Sequence, residues 1–231
     1  MKFTELNLEE GLLEAISYMG FENATPIQEK AIPLILEGKD VLASAQTGTG
    51  KTAGFTLPLL QLLDGVHTPH KKPIRALIIT PTRELAAQIL ENVREYSTFL
   101  KLKSTVIFGG VKQGPQVNTL KNGVDILIAT PGRLLDLQNQ GLLSLKDVEI
   151  LVLDEADRML DMGFLRDIKK ILALIPSKRQ NLLFSATFSK DIKQLANSFL
   201  NQPVLVEATP ENTTAEKVNQ KIYHVDKVKK R

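Results

Sequence analysis

The run LASAQTGTGKT, residues 42–52, puts glycines, a lysine and a threonine in an order suited to holding phosphate. Gly48 and Gly50 let a backbone turn tightly and aim its N–H groups at phosphate oxygens. Lys51 can place its ammonium on the terminal phosphates, and the Thr52 hydroxyl can ligate Mg²⁺. The full phosphate-loop pattern is G-x-x-x-x-G-K-[ST], and Ala45 stands where its first glycine belongs. An alanine is tolerable there if that residue keeps ordinary backbone angles. A second constellation, Asp154-Glu155-Ala156-Asp157, follows the apolar run ILVL. A carboxylate at a strand end beside a phosphate loop can hold Mg²⁺, usually through water. The adjacent glutamate can orient or deprotonate an attacking water. The plainer reading is that these acids open the next helix, where the macrodipole favours them. Two acids directly after a buried run, in a chain with a phosphate loop, favour catalysis. Gln28 stays open: it completes a capping box with Thr25, which is reason enough for its presence.

Positioning such residues needs strands and helices in alternation. Six short, continuous, β-rich apolar runs occur: 41–44, 76–80, 105–108, 125–129, 149–153 and 181–185. Continuous rather than alternating runs suit strands buried on both faces, as in a parallel sheet covered by helices. Between them, Leu85, Ile89, Val93, Tyr96 and Leu100 recur at helical spacing over 83–100, and Ile192, Leu195, Ala196 and Phe199 do so behind a cap at Ser189. Near the front, Asn7 is expected to cap a helix carrying Leu12, Leu13, Ile16 and Met19, and a second helix starts at Thr25-Pro26. A third is expected from about Lys51 to Leu63, its N-terminus aimed at the phosphate site. Residues 64–73 read as a polar surface loop. The expected architecture is α/β, a mostly parallel central sheet with helices on both faces.

Nearly every apolar run ends in a polar or glycine-rich cluster: AQTGTGKT, PTRE, GG, TPGR, DEAD and SAT. Ligands of open parallel sheets bind beyond the carboxyl ends of the strands, so these clusters describe one functional edge. GG or TPGR taken alone is an ordinary turn composition.

Composition bounds the rest. The 231 residues carry a formal net charge of +3, which permits a basic patch and no more. There is no cysteine, so disulfides and thiolate metal sites are excluded, and the three histidines have no metal-ligand spacing. The start, MKFTELNLEEGLL, lacks a signal-peptide core, and no apolar run is long enough to span a membrane. The expectation is a cytoplasmic protein without a membrane partner, and a monomer.

In that order, AQTGTGKT, PTRELAAQ, TPGR, DEAD and SAT resemble the DEAD-box RNA helicases, and the chain looks like the first RecA-like P-loop NTPase domain of the bacterial RhlE-type subgroup. Ala45 is the usual residue at its position in that family. The resemblance implies an N-terminal adenine-recognition segment over 1–30, an ATP-binding domain over 31–208, and the start of an interdomain linker over 209–231. Within GFENATPIQ (20–28), Phe21 would stack on adenine and Gln28 would hydrogen-bond its edge, with Phe3 as the upstream aromatic and Thr25 beside them. Ala45, Gln46, Thr47, Gly48, Thr49 and Gly50 would cradle phosphate, Lys51 and Thr52 would serve phosphate and Mg²⁺, Asp154 the metal largely through water, and Glu155 the hydrolytic water. Asp157 would couple to Ser185 and Thr187. Pro81, Thr82, Arg83, Gly109, Gly110, Thr130, Pro131, Gly132 and Arg133 would line the RNA path.

That path has a physical rationale. Arg83 and Arg133 can pair with phosphates and the glycine N–H groups can approach the sugar-phosphate chain closely, which makes binding sequence-independent and salt-sensitive. Aromatic residues are scarce, with no tryptophan, which argues against base readout. Nothing resembles the H-R-x-G-R signature of the family's second RecA-like domain, whose arginine fingers complete the enzyme. The resemblance therefore implies the ATP-binding half of a longer helicase, poorly active alone. Two other readings stay open: an adenine-nucleotide binder with weak RNA affinity acting alone, and a DNA translocase.

Overall fold

The computed structural model describes residues 1–46, 48–65 and 73–207. Thr47, most of the polar loop over 64–73 and the expected linker over 209–231 lie outside the described residues. The sheet has seven strands: β1 Val41–Ser44, β2 Ala76–Ile79, β3 Ser104–Ile107, β4 Ile126–Ala129, β5 Ile150–Leu153, β6 Gln180–Ser185 and β7 Val204–Glu207. Their spatial order is β3-β4-β2-β5-β6-β1-β7, and every pairing is parallel. The α/β expectation therefore holds.

Both faces are covered, and side-chain alternation divides the residues between them. Ala76, Ile78, Ile126, Ile128, Ile150, Val152, Leu182 and Phe184 point into one core. There they meet α1 (Glu10–Tyr18), α2 (Pro26–Leu36), α3 (Lys51–Leu63) and α4 (Arg83–Tyr96). Leu77, Ile79, Leu127, Ala129, Leu151, Leu153 and Leu183 point into the other. That core is completed from α5 (Gln113–Lys121), α6 (Pro131–Asn139), α7 (Ala156–Asp161), α8 (Leu165–Leu174) and α9 (Lys190–Phe199). A strand buried on both sides has no polar face to show in its sequence. Phe55 of α3 packs on Phe184 of β6 with ring centroids 5.2 Å apart and planes tilted by 58°.

Three local expectations are corrected. Asn7 does not cap α1; it takes a left-handed φ of 56°, and Glu9 precedes the first turn. Gln61 of α3 ties that entry down, accepting from Glu9 N at 2.9 Å and donating to Asn7 O at 3.0 Å. The long-range amide replaces the local cap. The helix expected over 83–100 ends at Tyr96, so Leu100 packs from the following loop. β7 was not expected. It is an edge strand behind Pro203, with only Val206 fully buried. Asp40 fastens it: its carboxylate accepts from Asn181 N (2.7 Å), Asn181 Nδ2 (3.0 Å) and Asn201 N (2.7 Å).

At the front, α2 runs across residue 30, and Leu6, Leu12, Ile16 and Ile27 share the core of the sheet. Among the described residues no helix is long and apolar enough to cross a membrane.

Candidate functional site

The carboxyl ends of β1 and β5 carry the first site, a cleft of about 400 Å³ between the glycine loop and the N-terminal segment. Ala45 is buried and keeps a negative φ, with its N–H donated to Ser185 O at 3.1 Å. The missing first glycine thus has no left-handed angle to supply. Gly48 and Gly50 do, at φ of 85° and 89°. Gly50 also faces crowding, because a Cβ there would lie 2.4 Å from Gln28 Nε2. Thr49 Oγ1 donates to Gln46 O at 2.7 Å and closes the loop on itself.

Gln28 makes the capping-box bond and a second bond that local sequence did not show. Its Oε1 accepts from Thr25 N at 2.9 Å, which is the glutamine arm of the capping box, and its Nε2 donates to Gly50 O at 3.0 Å. One buried side chain therefore joins the N-terminal segment to the phosphate loop. The Thr25 hydroxyl is buried without a hydrogen-bond partner of good geometry, and so is the Lys51 ammonium. A buried, unpaired ammonium is costly unless an anion can reach it. Lys51 lies at the first turn of α3, where the helix end favours the same anion. These residues fit a polyphosphate.

Asp154 is 2% exposed at the end of β5. Burial pushes its carboxyl up to about 6, opposed by the neighbouring Lys51 ammonium and helped by the Glu155 charge. Such a group is primed for a cation, whose charge would favour the ionised form. Thr52 lines the same cleft. Among the described residues no group of three or more acids or histidines is gathered as a metal site, so a Mg²⁺ here would complete its shell with water and phosphate oxygens. Glu155 takes φ 52°, a left-handed angle costly for a residue with a side chain and common at functional sites. Its carboxylate pairs with Arg158 at 3.1 Å. Asp157 accepts from Ala186 N at 3.1 Å and from Thr187 Oγ1 at 3.2 Å, while Ser185 Oγ donates to Thr187 O at 2.9 Å. The carboxylate cluster is therefore hydrogen-bonded to the SAT loop through Thr187, with Ser185 behind it.

Of the residues expected at the nucleotide, Phe3, Phe21, Thr25, Gln28, Gly48, Gly50, Lys51 and Thr52 line the cleft with Asp154 and Glu155. Ala45 and Gln46 support the loop from outside it. Leu85, Asn92 and Tyr96 of α4 form an unforeseen inner wall. Their spacing of roughly one and two turns was legible, but it reads equally well as core packing.

A second groove, about 630 Å³, runs across the ends of β2, β3 and β4. Pro81, Thr82, Arg83, Gly109, Gly110, Thr130, Gly132 and Arg133 line it, joined by Glu84, Asp136, Met162 and Phe164. Pro131 is buried beneath, at the first turn of α6. The N-termini of α4 and α6 open toward the groove, and Thr82 Oγ1 caps α4 by accepting from Leu85 N at 3.2 Å. The two arginines differ. Arg83 is 52% exposed and near Gly110, whose added Cβ would come 2.9 Å from its Nη1. Arg133 is 11% exposed and committed internally, to Gln116 Oε1 (3.1 Å), Val111 O (3.0 Å) and Asp136 (3.6 Å).

The profile of the DEAD/DEAH box helicases matches residues 25–195. This chain belongs to that family. The DEAD-box domain is 44% identical over 223 residues to the RNA helicase CrhR of Synechocystis, covering 96% of this chain and 44% of that protein. It is 47% identical over 220 residues to the DEAD-box ATP-dependent RNA helicase CshA of Streptococcus pneumoniae, covering 95% and 41%. It is 44% identical over 225 residues to RhpA of Helicobacter pylori, covering 97% and 44%. These relatives establish the family rather than the RhlE-type subgroup. A crystal structure of a DEAD box protein from Methanococcus jannaschii superposes with a TM-score of 0.85 at 43% identity, over 90% of this chain and 56% of that one. The DEAD-box domain is thus a RecA-like domain that spans less than half the length of the curated relatives it matches.

Proposed function

We propose that this chain is the ATP-binding and catalytic half of an ATP-dependent RNA helicase, which unwinds short RNA duplexes or remodels RNA–protein complexes. The observation that carries the reading is the buried, unpartnered Lys51 ammonium, set in one cleft with Gln28, Asp154 and Glu155. Phe21 and Phe3 offer aromatic faces for adenine, and Gln28 presents its amide to the base edge. Glycine-loop N–H groups and Lys51 hold the phosphates. Thr52 and Asp154 would hold Mg²⁺ largely through water, and the ion would neutralise phosphate charge as it develops. Glu155 orients the attacking water and accepts its proton at the carboxylate. Asp157, hydrogen-bonded to Thr187 and Ala186, transmits the state of that cleft to the SAT loop.

The groove beside it takes one RNA strand by its backbone. A second RecA-like domain, supplying arginine fingers and the other half of the grip, completes the enzyme; without it the loss in rate is about 10³–10⁵. These 231 residues alone bind adenine nucleotide and hydrolyse it with little stimulation by RNA. The protein acts in the cytoplasm as a monomer.

The test is RNA-stimulated ATP hydrolysis and short-duplex unwinding by the longer protein that contains this chain. Lys51→Ala and Glu155→Gln are expected to abolish both. Unimpaired turnover in either variant, or equal stimulation by DNA and RNA, would overturn the reading. For the domain alone, calorimetry should show ADP binding, and strong RNA-stimulated hydrolysis would contradict the need for a partner domain.

A further inference from the structure

α5 is weakly held by apolar packing. Its only buried residue is Val117, and the segment leading into it, Phe108 to Lys112, has no fully buried side chain. What fastens it is a set of side-chain amides shared with α6. Gln116 donates from Nε2 to Phe108 O at 3.1 Å, at the end of β3, and accepts from Arg133 Nη1 at 3.1 Å. Arg133 Nη2 donates onward to Val111 O at 3.0 Å. One turn away Gln113 and Gln140 exchange amide hydrogen bonds at 3.1 and 3.3 Å, and Gln140 also donates to Asp136 at 2.8 Å. The clasp therefore grips Phe108 and Val111, on either side of Gly109 and Gly110. Those two glycines are a wall of the groove.

We infer that Gln116 is a positioning residue for nucleic-acid binding: it holds Arg133 and the Phe108–Val111 backbone so that the Gly109–Gly110 N–H groups face the strand. Arg133 then works by fixing this wall, and Arg83 is the arginine left to meet phosphate. The geometry is lopsided in a way that supports this. Arg83 holds only an exposed ion pair with Glu84 at 3.6 Å, which a phosphate can displace, whereas Arg133 has spent its fork on a carbonyl, an amide and a carboxylate. Glycines without side chains fix nothing by themselves, so the wall's conformation must be imposed from outside the loop. Gln116 holds the Phe108 end directly and the Val111 end through Arg133. The inference rests on the proposal that the groove binds RNA.

The test uses the 231-residue chain and a short fluorescein-labelled oligouridine, read by anisotropy at low salt. Gln116→Met keeps length and bulk while removing both hydrogen bonds. It is expected to weaken oligouridine binding about tenfold, the scale of two lost hydrogen bonds. Affinity for a fluorescent ADP analogue should stay at the wild-type value while the melting temperature falls by only a few degrees, a confinement of the loss to the groove that a general loss of structure would not give. Amide hydrogen exchange without RNA should quicken over residues 108–113 in the variant. Oligouridine affinity within twofold of wild type, or unchanged exchange, would overturn the inference. If wild type itself fails to bind oligouridine, the RNA reading of the groove falls, and the exchange measurement still decides whether the clasp orders the loop.

Discussion

Two opposite charges, the Lys51 ammonium and the Asp154 carboxylate, lie buried in the cleft beside the glycine loop. Lys51 is 6% exposed and Asp154 is 2% exposed. The Asp154 carboxyl is raised from 3.8 to about 6 by burial, so the folded domain gains from its proton below pH 4 and loses that gain as pH rises through 6. The bound on the effect is about 3 kcal/mol. Without nucleotide, Asp154→Asn should therefore be more stable than wild type at pH 7.5 in urea melts, with the difference shrinking toward pH 4. A constant difference across that range would show that the buried charge is not its source. Lys51→Met should show no thermal shift on adding ADP. In wild type a hundredfold excess of ADP over its dissociation constant should add about 2.7 kcal/mol. Arg83, exposed on the groove, belongs to a different class of effect. Arg83→Gln should leave stability alone and reduce the slope of log affinity for RNA against log salt by about 1.

At the scale of elements, each cluster sits where a strand ends and a helix begins. That placement follows from the parallel sheet, which sends every crossover back over the same face and turns every carboxyl end to one edge. The far end of the sheet is held by other means. Asp40 accepts three hydrogen bonds from Asn181 and Asn201, which fastens β7 and β6 to the start of β1. Arg75, 2% exposed, ties the same amino ends of β2 and β5 by pairing with Glu149 at 2.7 Å and donating to Leu63 O at 2.8 Å. Asp40→Ala leaves two buried donors of Asn181 unsatisfied and the Asn201 N–H to water, and should cost about 2 kcal/mol by denaturant titration, with ADP affinity unchanged once folded. A loss below about 0.5 kcal/mol would mean that water replaces the carboxylate freely.

For the whole molecule, two cores of similar makeup flank one sheet, and the strain sits on neither. Left-handed backbone occurs at Asn7 and Gln202 as well, but the functional edge combines a left-handed Glu155 with a crowded Gly50, a buried Lys51 ammonium without a hydrogen-bond partner and a raised Asp154. Such a domain is stable because of its cores and useful because of an edge that is incomplete without ligand. Six of the seven strands, the starts of α2, α3 and α9, and much of the lining of both clefts were legible in the residues, since burial on two faces, capping and the phosphate loop are local or near-local rules; Asn92 of the first cleft and Asp136, Met162 and Phe164 of the groove were not. β7 was not; it is an edge strand behind a proline, with only Val206 fully buried. Nor was the Asn7 error avoidable: Asn7 has the right chemistry for a cap, and only Gln61, 54 positions away, takes over the helix entry.

What the sequence determined by itself, then, is which chemistry is present and that it lies at strand ends, because phosphate loops, acid pairs and continuous apolar runs are written in consecutive residues. What only the tertiary structure decided is how those groups are paired. Gln28 reaches Gly50, Asp157 reaches Thr187, and Arg133 is consumed by Gln116 and Val111 rather than left free for phosphate. Those are contacts between elements distant in the chain, set by crossover geometry and by which donors remain unsatisfied once both cores are packed, and no local spacing encodes them.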